Sequence, residues 1–86
     1  MQRFFFDTTV DDKDTRDAEG IEYADLVTAV RDARHTVSQL LSEAASKNIV
    51  VCRVTIRDCT GKTIRIITAE LRDEGEFPVA AEDNRC

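Results

Sequence analysis

The sequence predicts an α+β fold: a two-layer sandwich with one long helix over a three- or four-stranded antiparallel sheet, in the order β-β-α-β-β. Three observations carry this. Apolar residues recur at steps of three and four from Asp25 to Lys47, the period of an amphipathic helix. Two runs, Ile49–Asp58 and Thr63–Leu71, alternate β-branched and polar residues around a short glycine-containing turn. The chain has 86 residues, room for one core and one such helix.

In chain order, Arg3–Thr8 is the first strand. Phe4 and Phe6 face the core, and Phe5 shares the opposite face with Arg3 and Asp7. Thr9–Gly20 holds Asp11, Asp12, Asp14, Asp17 and Glu19, too polar to bury, and is expected as a loop. Gly20 supplies a positive-φ turn into a short strand ending at Tyr23, which returns as a hairpin. Asp25 caps the helix, and Leu26, Ala29, Val30, Ala33, Val37, Leu40, Leu41 and Ala44 form its apolar stripe. Lys47 is expected to complement the helix dipole, with Asn48 as the left-handed residue after it.

In Ile49–Asp58, the residues Val50, Cys52, Val54 and Ile56 face the helix, against Val51, Arg53, Thr55 and Arg57 outside. Gly61 takes a left-handed position in the turn. In Thr63–Leu71, Ile64 and Ile66 are expected inward. The adjacent Ile67 must then face outward unless a bulge intervenes. Residues 1–72 form the domain, and 73–86, acidic and without periodicity, read as a flexible tail.

No stretch is apolar enough for a membrane span or a signal peptide, so a cytoplasmic location is expected. Cys52, Cys59 and Cys86 are odd in number, match no metal spacing and fit reduced thiols. Net charge is −5, distributed as −4 over residues 1–22, 0 over 23–48, +3 over 49–65 and −4 over 66–86. An acidic whole argues against a general nucleic-acid binder; a basic middle leaves room for an anion site.

Arg3-Phe4-Phe5-Phe6-Asp7, then Arg16-Asp17-Ala18-Glu19-Gly20-Ile21-Glu22, then Asp58-Cys59-Thr60-Gly61-Lys62, resemble in order the motifs of a group of small alphaproteobacterial proteins common in rhizobia. That group shares a domain of unknown function with the pattern M-x-R-[YF]-F-F-[DH], R-D-x-E-G-x-E and D-x-x-G-[RK]. The chain departs from it at Tyr23-Ala24, where members usually carry an apolar residue and proline, and in having fewer helical glutamates. The resemblance implies a compact bacterial domain and no activity.

Arg16, Asp17 and Glu19 are a candidate binding loop, weighed against plain turn chemistry with a local Arg–carboxylate contact. As a calcium loop the segment fails: Asp12 and Asp14 suit positions 1 and 3, but Arg16 falls at position 5. The single histidine, His35, sits on the polar helix face. Neither a phosphate loop nor a nucleophile with its base is visible, so no enzyme and no cofactor are expected. Arg53, Arg57 and Arg65 are the stronger candidates. With Phe5 beside them on the outer sheet face, they suggest an anion or single-stranded nucleic-acid site. The competing reading is a solvated face. The favoured function is a non-enzymatic interaction module, a homo-oligomer or protein binder working through the outer sheet face or an edge strand.

Overall fold

In the computed structural model, which describes residues 1–75, six elements follow in the order β-β-β-α-β-β. They are β1 (Gln2–Val10), β2 (Lys13–Thr15), β3 (Ile21–Tyr23), α1 (Leu26–Glu43), β4 (Ile49–Arg57) and β5 (Thr63–Arg72). The strands form one five-stranded antiparallel sheet in the order β2-β1-β4-β5, with β3 also paired to β1. The α+β class is as the sequence predicts. Of the tail expected over 73–86, residues 76–86 lie outside the described residues.

α1 begins where Asp25 stops the extended chain. The Asp25 carboxylate accepts from the Thr28 amide at 2.8 Å, satisfying a first-turn donor with no helical partner. All eight residues of the apolar stripe meet the core, with Ala29, Ala33 and Val37 fully buried against the sheet. The helix ends at Glu43 with Ala44 as its cap, earlier than Lys47. Asn48 does not take the left-handed conformation expected of it; among non-glycine residues described, only Asp11 does, at φ 55°. Lys47 does not serve the helix end either: its Nζ donates to Asp11 at 3.1 Å.

The segment expected as a polar loop is more ordered than its composition implies. β1 continues to Val10, Asp11 and Asp12 turn the chain, and β2 pairs back on Thr8–Val10. Aspartate tolerates the left-handed region better than most residues, which suits Asp11 to this tight turn. β3 then pairs with Gln2–Phe4, again antiparallel to β1. From Thr15 to Ile21 the chain takes six steps while the paired residues Thr8 to Phe4 take four. The two extra residues bow Arg16–Gly20 away from the sheet, opposite the centre of β1.

The core lies between α1 and the inner face of β1, β4 and β5. Val50, Cys52, Val54 and Ile56 are fully buried, and Phe4 is 3% exposed. Tyr23 closes one end: its ring stacks on Phe6 at 5.8 Å and tilts against Phe4 at 6.2 Å. Its hydroxyl donates to Asp32 of α1. Tyr23 therefore ties the sheet to the helix. Burial, with Asp32 beside it, raises its pKa well above the ordinary phenol value.

β5 corrects one sequence expectation. Ile56 pairs with Arg65 but Arg57 with Thr63, so a bulge falls at Ile64. It turns Ile67, Ala69 and Leu71 toward the core and leaves Ile66 outside, 57% exposed. Ile66 is thus not inward, Ile67 is not outward, and Arg65 is registered against the core residue Ile56 rather than on the outer face. No described helix is long and apolar enough to cross a membrane.

Candidate functional site

Three aspartates in the motif segments accept most of the side-chain hydrogen bonds that fix the loops. Asp7, on the outer face of β1, receives Arg57 Nε at 2.6 Å and Arg57 Nη2 at 3.0 Å. It also accepts the Asp17 amide at 2.9 Å. The Arg57 guanidinium, its chief hydrogen-bond partner, holds Asp7 below the usual carboxylate range despite some desolvation. Arg57 Nη2 reaches the Asp17 carbonyl at 2.9 Å, and the guanidinium lies 5.0 Å from the centre of the Phe5 ring.

Asp17 fills the gap that the bowed loop leaves in the sheet edge. Its carboxylate accepts the amides of Phe6 at 3.0 Å, Glu19 at 3.1 Å and Gly20 at 3.0 Å. Burial pushes its pKa up, but these three amides outweigh burial and the net shift is downward. Gly20, at φ 70°, is indispensable twice over. A Cβ there would stand 2.9 Å from the Phe4 carbonyl oxygen and 2.9 Å from Phe5 Cε1. Arg3 braces the same loop, donating to the Glu19 carbonyl at 2.7 Å and to Glu22 at 3.3 Å.

Asp58 does the equivalent in the β4–β5 turn. Its Oδ1 accepts Thr60 Oγ1 at 2.6 Å, the Thr60 amide at 2.9 Å and the Lys62 amide at 3.0 Å, while Gly61 holds φ 89°. Asp11 links the β1–β2 turn to β4, accepting the Val51 amide at 3.1 Å and donating its own amide to the Val51 carbonyl at 2.8 Å. These are turn and edge devices.

The arginine face expected from the sequence is not assembled. Arg57 is 9% exposed, with Nε and Nη2 committed inside the molecule. Phe5 is half-buried between that guanidinium and Gly20, not a free stacking platform. Arg65 is moved off the face by the bulge. Arg53 alone of the three stays exposed on the outer face, opposite Thr9 and Thr68. In the candidate loop, Asp17 is structural, Glu19 contributes main-chain groups, and the exposed Arg16 lines two shallow clefts of about 260 and 590 Å³. His35 is exposed beside Tyr23, Thr28, Arg31 and Asp32 along a cleft of about 500 Å³. Cys52 is buried, which pushes its thiol pKa up; Cys59 is free and exposed. Among the described residues, no three His, Cys, Asp or Glu side chains converge to hold a metal ion.

The sequence pointed to an edge strand without saying which; one edge of the sheet is β5. Val51 bonds toward Asp11 on the β1 side, so by alternation Val50, Cys52 and Val54 bond toward β5. Their partners Leu71, Ala69 and Ile67 spend their main-chain groups on β4. Ile66, Thr68 and Glu70 therefore point their amides and carbonyls outward, and no described strand borders them. The signal lay in the Ile66-Ile67 pair, which only the bulge resolves.

These features define a small α+β domain whose distinctive side chains are occupied in building it. The chain belongs to the family described as a domain of unknown function, DUF6894, whose model matches residues 3–72. No curated protein and no solved structure matches the chain.

Proposed function

We propose that this chain is a non-enzymatic interaction module that adds a partner strand to the open edge of β5. The observation that carries the reading is the row of outward main-chain groups at Ile66, Thr68 and Glu70, with the exposed Ile66 side chain beside it. An unpaired edge of this kind is a ready template for another strand. The bulge and Arg65 at one end, and Glu70 and Arg72 at the other, confine the usable stretch and discourage open-ended stacking. The anion-binding alternative loses support because only Arg53 of its three arginines is left exposed on the outer face.

Residue-resolved hydrogen exchange tests the reading. The amides of Ile66, Thr68 and Glu70 have no partner strand within the described chain, so they exchange fast in dilute protein. In the complexed protein they become protected. Fast exchange at all three under conditions where a complex is present would overturn the proposal.

A further inference from the structure

We infer that the strand completing the β5 edge is β5 of a second copy, antiparallel to the first about a two-fold axis at Thr68. This rests on the edge-pairing reading above and adds the partner and its register. The carrying observation is charge. The N-terminal end of the edge holds Lys62 and Arg65, net +2, and the C-terminal end holds Glu70, Arg72, Asp73 and Glu74, net −2. All six side chains are exposed. Antiparallel pairing lays the basic end of each copy along the acidic end of the other, whereas parallel pairing would lay like charge on like.

The position of the axis follows from the free main-chain groups. A two-fold at Thr68 sets Thr68 against Thr68 and Ile66 against Glu70, so all three outward residues pair reciprocally, with about six main-chain hydrogen bonds. Ile67 meets Ala69 on the inner face, carrying the apolar row beneath α1 across the junction. Lys62 and Arg65 come alongside Asp73 and Glu74. Moving the axis to Ala69 makes the two Glu70 carboxylates diagonal neighbours, and moving it to Glu70 sets them directly opposite each other. Moving it toward Ile66 drives the pairing into the bulge at Ile64.

The test is a charge swap on the full chain. Light scattering at high micromolar concentration and low ionic strength is expected to give twice the 9.7 kDa chain mass. Lys62→Glu with Arg65→Glu, and separately Asp73→Lys with Glu74→Lys, each weaken the dimer by roughly tenfold or more. An equimolar mixture of the two variants restores it. Circular dichroism checks that both variants stay folded. A monomeric wild type whose Ile66, Thr68 and Glu70 amides are protected by another protein overturns the second copy and leaves the edge reading standing. A wild-type dimer unmoved by either swap and by Thr68→Pro overturns both. Charge variants that fail to re-pair with each other overturn the antiparallel register.

Discussion

The Arg57 guanidinium is gripped by the Asp7 carboxylate from fifty positions earlier in the chain, through contacts of 2.6 and 3.0 Å. The pair spans β1 and β4 on the face turned away from the helix, next to the directly opposed Phe5 and Arg57. It converts a candidate ligand-binding arginine into a cross-strand clamp. The clamp also sets the loop, because Asp7 accepts the Asp17 amide and Arg57 donates to the Asp17 carbonyl. Asp7→Ala is expected to lower stability by about 1–3 kcal/mol, the range for hydrogen bonds to charged groups, with solvent screening favouring the lower half. Urea unfolding measures it, and Asp7→Ala combined with Arg57→Ala should show the non-additivity of a shared contact.

Asp17 and Gly20 make one unit, and each has its own failure. Asp17→Ala leaves the Phe6, Glu19 and Gly20 amides without their acceptor, a loss of about 2–3 kcal/mol where water does not replace it. Gly20→Ala fails by collision and by strain at positive φ, and should cost at least as much. Arg16→Ala, in the same motif but exposed, should stay within about 0.5 kcal/mol of wild type. Thermal melts of the three variants rank them. A large loss at Arg16 alone would assign it a structural role that its exposure denies.

Much of the fold was legible because it rests on periodicity. The eight-residue helix stripe, the inward row of β4 and the positive-φ glycines at 20 and 61 all follow from local sequence, and all are found. The Asp11–Asp12 turn and β2 were hidden by acidity, since five acidic residues in one stretch look solvated whether or not the backbone pairs. Arg57 lies on the outer face as expected but is occupied there, whereas Arg65 is displaced from it. The partner of Arg57 lies across the sheet, and no local pattern reveals it. The displacement of Arg65 depends on a one-residue bulge at Ile64 that reverses the assignment of the residues after it.

Acid should unfold this chain earlier than its small core alone implies. Asp7, Asp11, Asp17, Asp25 and Asp58 all have pKa values below the ordinary 3.8. Hydrogen bonds to Arg57, to the Val51 amide, to the Thr28 amide and to Thr60 are the leading causes at Asp7, Asp11, Asp25 and Asp58. A carboxylate held low in the folded state binds fewer protons than in the unfolded chain, so its contribution is complete well above pH 3.8. It is lost as pH falls through 3.8 toward the folded values. Denaturant midpoints should therefore be level near neutrality and drop steeply below about pH 4.5. Asp7→Asn should flatten that drop, and an unchanged slope in Asp7→Asn would remove Asp7 from the acid response.

The adjacent pair Ile66 and Ile67 tests the bulge directly, because simple alternation across β5 and the bulged register make opposite predictions for the same two residues. Unbroken alternation from Ile64 puts Ile66 in the core and Arg65 outside beside Arg53. The bulged register puts Ile67 against the core opposite Val54 and leaves Ile66 solvent-exposed opposite Thr55. Ile67→Ala should then cost about 2 kcal/mol, the low end for a large-to-small change because the site is only partly buried. Ile66→Ala should cost no more than about 0.5 kcal/mol in the monomer. The order of the two losses is the diagnostic, since both variants remove the same atoms from the same strand type. If Ile66→Ala is the costlier in dilute, monomeric protein, the bulge is misplaced, Arg65 returns to the outer face, and the outward main-chain row at Ile66, Thr68 and Glu70 loses its basis.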